Sequence, residues 1–177
     1  MAELIDYCLT HFPAPPPPED APDRDNPAIR LMHAVVERMA DLAASYMVAG
    51  FVHGVLNTDN MNISGESFDY GPWRWLPRWD PAFTAAYFDH QGLYSFGRQP
   101  EAVFWNLQQL AACLTLVADQ AGLLAALNGF SMVASAPSLA AWASTSNPAR
   151  PPEIAMIGRS GSWARGRQAV WPSRASM

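Results

Sequence analysis

The sequence predicts a mainly α-helical domain with one short β-hairpin, and three observations carry that prediction. Apolar residues recur at steps of three and four over two long stretches, 27–49 and 100–117. The first stretch has a start signal in Asn26-Pro27 and a stop signal in Gly50. Between the stretches, Met61-Asn-Ile63 and Ser67-Phe68 have room to pair as two short strands joined at Gly65.

At the start of the chain, Leu4, Ile5, Cys8, Leu9 and Phe12 have helical spacing. Pro13 to Pro18 break any helix, and the acidic run to Asp25 reads as an exposed loop. Asn26 is then an N-cap and Pro27 the first helical residue. Leu31, Val35, Met39, Leu42 and Tyr46 give an amphipathic helix to about Ala49, closed by Gly50. Phe51 and Val52 lead into a polar loop. Residues 72–98 are rich in Trp and Pro without periodicity, so they read as a long ordered loop. Pro100 opens a helix with Val103, Phe104, Leu107, Leu110, Ala111, Leu114 and Val117 as its buried stripe. Asp119 is expected to cap a shorter helix ending at Asn128-Gly129. Beyond that, 131–152 are Ala/Ser/Pro-rich and 158–177 Arg/Ser/Gly/Trp-rich. Neither offers a packable face, so a body at 1–130 and a disordered, low-complexity tail at 131–177 are expected.

Composition bounds the class. With 177 residues, half of them apolar and 15% charged, the chain can build one soluble domain with a core. Its net charge of −5 is uneven: residues 1–149 hold 6 Arg and 15 acids (−9), and residues 150–177 hold 5 Arg and one acid (+4). The acidic body argues against a nucleic-acid surface. The tail reads either as a basic arm for an acidic partner or, the favoured reading, as sequence out of frame or cut from a longer gene. Cys8 and Cys113 are expected as buried thiols, not a disulfide or metal pair. No run of about 18 apolar residues exists, and the start lacks a signal peptide's pattern, so a cytoplasmic protein is expected.

The polar loop carries the chemistry. It reads His53-Gly-Val-Leu-Asn-Thr-Asp-Asn60, followed by Asp69-Tyr70-Gly71. Kinases arrange His-Arg-Asp-x-x-x-x-Asn and then Asp-Phe-Gly in this way. There the first Asp takes the substrate proton, and the Asn and second Asp hold metal ions on ATP. Here Val55 replaces that base and a carboxylate stands at Asp59, beside Asn60. All eleven basic residues are Arg, so the usual phosphate-holding Lys is absent, and only about fifty residues precede the loop. A kinase-like C-terminal lobe without its N-terminal lobe is therefore expected.

Plainer readings stand beside these. Asn57, Thr58 and Asp59 also suit a simple turn. His53 is expected to support the loop by hydrogen bonds. Asp89-His90 reads as structural or target-facing, and Arg98 as a solvated surface residue. Trp73, Trp75, Trp79, Phe83, Tyr87 and Phe88 are expected to pack beneath the long loop in preference to forming a target groove.

One family unites the motifs. Gly50-Phe-Val-His-Gly-Val-Leu-Asn-Thr-Asp-Asn-Met61, Ser64-Gly-Glu-Ser-Phe-Asp-Tyr-Gly-Pro72 and Asp89-His-Gln-Gly-Leu-Tyr-Ser-Phe96 closely resemble the selenoprotein O (SelO, YdiU) family. Gln99-Pro100, Trp105-Asn-Leu107, Asn26-Pro27 and Val35-Val-Glu-Arg38 fit as well, so the resemblance covers roughly 1–128. It implies a kinase-like fold and protein adenylylation, moving AMP from ATP to a Ser, Thr or Tyr hydroxyl of a target protein. It implies Asp59 as proton acceptor, Asn60 and Asp69 as ligands of Mg²⁺ or Mn²⁺, and Asp69 at the nucleotide. The family's nucleotide-holding Lys, acidic and Arg residues, and its redox-active Cys or selenocysteine, have no counterpart here. This chain alone is therefore expected to be weak or inactive. The alternatives are a non-catalytic protein-binding module and a non-functional remnant.

Overall fold

Asn26 and Pro27 start the longest element. In the computed structural model, which describes residues 1–134, the Asn26 side chain accepts from the Ala28 N–H, and helix α2 runs Pro27–Ala49. Gly50 ends it in the left-handed conformation at φ 67°, where a residue without Cβ is unstrained. The other helices are α1 (Ala2–His11), α3 (Gln99–Leu114) and α4 (Gln120–Ala134). Helix α2 is the hub against which all three pack, through Ile29, Met32, Val36 and Met39 among others. From α3 come Val103, Leu107 and Leu114, and from α4 Leu123, Leu127 and Phe130. Phe104 and Phe130 meet with ring centroids 5.4 Å apart. Val117, expected in the α3 stripe, lies beyond the helix and is exposed.

Two expectations need correction. The described residues do form one two-stranded antiparallel pair, but its strands are β1 (Phe51–Val52) and β2 (Arg74–Trp75), in register Phe51 with Trp75. Residues 61–63 and 67–68 are not strands. Their polar groups are engaged by side chains of α2: Arg38 donates to the Ile63 carbonyl at 3.1 Å, and Tyr46 Oη lies 2.6 Å from Ser67 Oγ. The same Arg38 donates to the Phe12 and Pro13 carbonyls at 3.0 and 2.9 Å, pinning the end of α1. Helix α4 also runs past Asn128-Gly129 to Ala134. Asp119 caps its start as expected, accepting from Ala121 N–H at 3.1 Å. The tail expected at 131–177 lies, from residue 135 onward, outside the described residues.

Both cysteines are free, but neither is buried: Cys113 is exposed, and Cys8 is half-buried at the edge of the core, packed against it. Among the described residues, no helix is long and apolar enough to cross a membrane.

A cleft of about 380 Å³ lies between the Pro15–Pro18 strap and helices α2 and α4, with His33 and Glu37 in its wall. His33 Nε2 is buried without a hydrogen-bond partner, and burial lowers the pKa of the ring below 6.5. In the unfolded chain His33 takes up its proton first as pH falls, so its contribution to stability is full above pH 6.5 and is lost below it. We expect the urea midpoint of the parent to fall from pH 7 to pH 5 more than that of His33→Leu. Parallel midpoints would sink this reading of His33.

Candidate functional site

Strand β1 delivers the chain to His53, which is fully buried. Two side chains of α3 hold this stretch in place. Gln99, also fully buried, accepts from the His53 N–H at 3.0 Å and donates to the Phe51 carbonyl at 2.8 Å. One side chain thus does for β1 what a neighbouring strand would do. Asn106 donates to the Leu56 carbonyl at 2.7 Å. At Gly54, with φ 86°, a Cβ would stand 3.0 Å from Ala85 Cβ, so the chain turns there at close quarters.

Beyond Leu56 the loop tightens into a 3₁₀ turn, Thr58–Asn60. Asn57 Oδ1 accepts from the Asp59 N–H at 3.2 Å, so the plain turn and the candidate site are one feature. The turn leaves Asp59 exposed and sends Asn60 inward. Asn60 Nδ2 donates to Asp69 Oδ2 at 2.9 Å and to the Asp69 carbonyl at 3.4 Å. Asp69 has φ 49°, an uncommon conformation that Asp tolerates better than most residues. The residue before it is held by His53, whose Nε2 lies 3.0 Å from the Phe68 carbonyl. With Nδ1 facing the Val55 N–H at 3.4 Å, the ring proton sits on Nε2 and is donated to Phe68. His53 therefore braces the loop, as expected.

The structure brings Asn60 and Asp69 into contact and sets Asp59 on the same turn. It leaves Asp89 elsewhere: its carboxylate accepts from the Leu93 and Tyr94 N–H groups at 2.8 Å, a local turn. Burial, then the Asp89 charge, raises the Tyr94 pKa. Arg98 is exposed and paired with Glu101 at 3.0 Å. The hydrogen bond between them raises the Arg98 pKa and lowers that of Glu101. The aromatic cluster departs from expectation. Phe83 packs in a small second core with Met47, Val52, Ala85 and Phe96, but Trp73, Trp75, Trp79, Tyr87 and Phe88 are exposed. The loop beneath them is too short of apolar depth to cover so many rings.

Sequence reasoning missed Gln99, Asn106 and Arg38 as organisers. The available signal was position: Gln99 and Asn106 fall on the apolar rows of α3 with Val103 and Leu107. A polar residue on a buried face needs a partner.

The family model described as protein adenylyltransferase SelO matches residues 1–137. This chain belongs to the SelO family. A protein nucleotidyltransferase YdiU from Synechocystis sp. is 42% identical over 134 residues, 75% of this chain and 28% of that protein. The YdiU of Trichormus variabilis is 52% identical over 131 residues, 73% of this chain and 26% of its own length. That of Synechococcus elongatus is 56% identical over 96 residues, 54% of this chain and 20% of its own. This SelO-family chain thus spans a fifth to just over a quarter of the relatives it matches.

The donor set in this SelO chain suits a divalent metal of the Mg²⁺ type. Among the described residues no three His, Cys, Asp or Glu side chains gather. Mg²⁺ is nevertheless commonly held by one or two carboxylates, with phosphates and waters completing the shell. The Asn60–Asp69 contact at 2.9 Å is an ordinary hydrogen bond; turned over, the Asn60 amide would present its oxygen beside the Asp69 carboxylate.

Proposed function

We propose that this chain carries the catalytic and metal loops of a protein nucleotidyltransferase that moves AMP from ATP to a Ser, Thr or Tyr hydroxyl of a target protein. The observation that carries the reading is the Asn60–Asp69 contact at 2.9 Å with exposed Asp59 on the same 3₁₀ turn. Asp59 faces solvent, where a protein hydroxyl can reach it, and acts as the general base. Attack forms a new oxygen–phosphorus bond at the α-phosphorus and breaks the bond to the bridging oxygen. Pyrophosphate leaves, and the hydroxyl proton passes to the Asp59 carboxylate. Asn60 and Asp69 would hold Mg²⁺ or Mn²⁺, which would spread the charge developing on the phosphate. Asp69 also orients the nucleotide.

The same proposal assigns residues 1–130 to the C-terminal lobe of a kinase-like fold acting in the cytoplasm. The chain contains no Lys, so a Lys on the ATP phosphates has to come from outside it. The activity of the chain alone is accordingly weak.

The test is transfer of label from α-labelled ATP, with Mg²⁺ or Mn²⁺, to the chain or an added protein. Asp69→Ala is expected to cut labelling by about 10²–10³-fold, as loss of a preorganised charged contact does. Equal labelling in the variant would remove Asp69 from the site. Label from γ-labelled ATP instead would make the chemistry phosphoryl transfer.

A further inference from the structure

Directly after Asp69, large aromatic side chains stand open to solvent: Tyr70 is 58% exposed, Trp73 44% and Trp75 51%. They form one face because Phe51, itself buried, lies beneath all three, with ring centroids 6.2, 5.8 and 5.3 Å away. Fully buried His53 backs the same face, its ring stacked on Tyr70 at 6.3 Å. Trp73 and Trp75 meet edge to face at 6.1 Å. Rings seated on a buried base lose little freedom when something binds them, which makes them ready anchors. Contiguous exposed apolar area of this kind marks an interaction surface.

Charge selects the occupant. At the Tyr70 end stands exposed Asp69, bonded to Asn60, whose neighbour Asp59 is exposed as well. The described residues 1–134 hold 15 acids against 6 Arg, a net −9. Two of those Arg are already engaged, Arg38 with three carbonyls and Arg98 with Glu101. Arg74 lies within the aromatic stretch but alternates with Trp73 and Trp75 along β2, and its Nε donates to the Ala85 carbonyl at 3.3 Å. It belongs to the opposite side of the strand. The face is therefore aromatic, set in an acidic body, with no cation among its own rings. An acidic segment is repelled by that charge, and an uncharged one gains nothing from it. A cation gains twice, from the negative faces of the rings and from the field of the body. Arg suits the rings better than Lys, because its planar guanidinium lies flat on them.

We propose that the Tyr70, Trp73 and Trp75 face docks an Arg-bearing segment of the target protein, its guanidinium stacked on the rings. The inference narrows the target class from any surface hydroxyl to one with Arg close beside it. That the docked segment carries the acceptor hydroxyl rests on the proposed nucleotidyl transfer; the docking itself does not, and its test uses no nucleotide.

The experiment titrates the full 177-residue chain into a dye-labelled peptide of Gly and Arg around a single Ser, read by fluorescence anisotropy. Matching peptides carry Lys or Glu in place of Arg. We expect the Arg peptide to bind, the Lys peptide to bind more weakly, the Glu peptide not to bind, and affinity to fall as salt rises. The double variant Trp73→Leu, Trp75→Leu should bind the Arg peptide about tenfold more weakly, as loss of two exposed cation–π contacts does. Equal affinity in that variant would place the peptide elsewhere on the acidic surface and overturn the inference. A footprint on the parent chain removes any dependence on how the variant folds. Bound Arg peptide should slow hydroxyl-radical oxidation of Tyr70, Trp73 and Trp75 about twofold or more, because a stacked guanidinium covers the outer face of a ring. Tyr87, 89% exposed and outside the face, serves as the unchanged reference. Equal oxidation of the three rings with and without peptide would overturn the inference. So would protection that is present without peptide and fades on dilution, which gives the face to a second copy. With no nucleotide present, failure of docking leaves the transfer reading standing, and failure of labelling leaves the docking standing.

Discussion

Gln99→Met is expected to lower the stability of the folded chain by about 2–6 kcal/mol, the largest effect of any single side chain near the site. Met is close to Gln in volume and flexibility, so the variant isolates the polar groups. Gln99 is fully buried and serves two backbone groups, the Phe51 carbonyl at 2.8 Å and the His53 N–H at 3.0 Å. Each buried group left without a partner costs about 1–3 kcal/mol. Among the described residues β1 has β2 as its one strand neighbour, so no second strand stands ready to replace those bonds. The check is the urea or thermal midpoint of the full chain, and a Met variant with the parent's midpoint would sink the argument. Gln99→Glu sharpens it. As a carboxylate it still accepts from His53 N–H but sets a second oxygen against the Phe51 carbonyl, so its folded-state pKa is raised. When protonated it donates to Phe51 again. The Glu variant is therefore expected to gain stability relative to parent as pH falls, the sign opposite to a surface carboxylate.

These contacts explain how a short strand pair can position a site. Residues 53–60 have little secondary structure of their own. They are held at His53 and, just before it, Phe51 by Gln99, and at Leu56 by Asn106, while His53 in turn holds Phe68 beyond them. Helix α3 is thus the template for the loop, and α2 anchors α3 through the core.

Legibility in the sequence tracks the range of the interactions. Helix α2 was legible at both ends because Asn26, Pro27 and Gly50 act on neighbouring backbone. The Asn60–Asp69 pair was legible from the motif, but its route was not: no hairpin at 61–68 brings the two residues together. The strand pair was not. Phe51 meets Trp75 across a long irregular segment, and the pairing is stabilised by Gln99, still further along. Gly129 misled for a related reason. It reads locally as a helix stop, yet α4 continues through it because the helix packs on α2, where a Cβ at Gly129 would lie 3.9 Å from Val36 Cγ1. Tertiary contact outweighed the roughly 1 kcal/mol that Gly costs inside a helix. The rings of the 72–98 loop were expected inside because aromatic residues usually bury their area. Their exposure is a property of the surface, which periodicity does not report.

Gly65→Val is the second large effect, expected to cost about 2–5 kcal/mol and to loosen the candidate site. Gly65 has φ 77°, the left-handed region, where a side chain costs roughly 1–2 kcal/mol. A Cβ built there would stand 2.6 Å from Arg38 Cβ and 3.2 Å from the Arg38 carbonyl oxygen, a clash with the rigid base of a side chain and with helix backbone. Overpacking of that kind adds about 1–3 kcal/mol. The strain has one outlet, which is to push the 61–68 segment off α2. That segment is fastened by the Arg38 bond to Ile63 and the Tyr46–Ser67 contact, and it leads directly into Asp69. Displacing it frees Arg38, whose other bonds hold the end of α1. The variant should therefore show two linked changes: a lowered unfolding midpoint, and faster hydrogen exchange both at 61–69 and at Phe12, whose N–H closes the end of α1 on the Cys8 carbonyl. Gly65→Ala, with a smaller side chain at the same φ, should sit between parent and Val. Fast exchange confined to residues 64–66, with Phe12 unchanged, would mean that Arg38 does not couple the two segments and that the strain is absorbed in the turn itself.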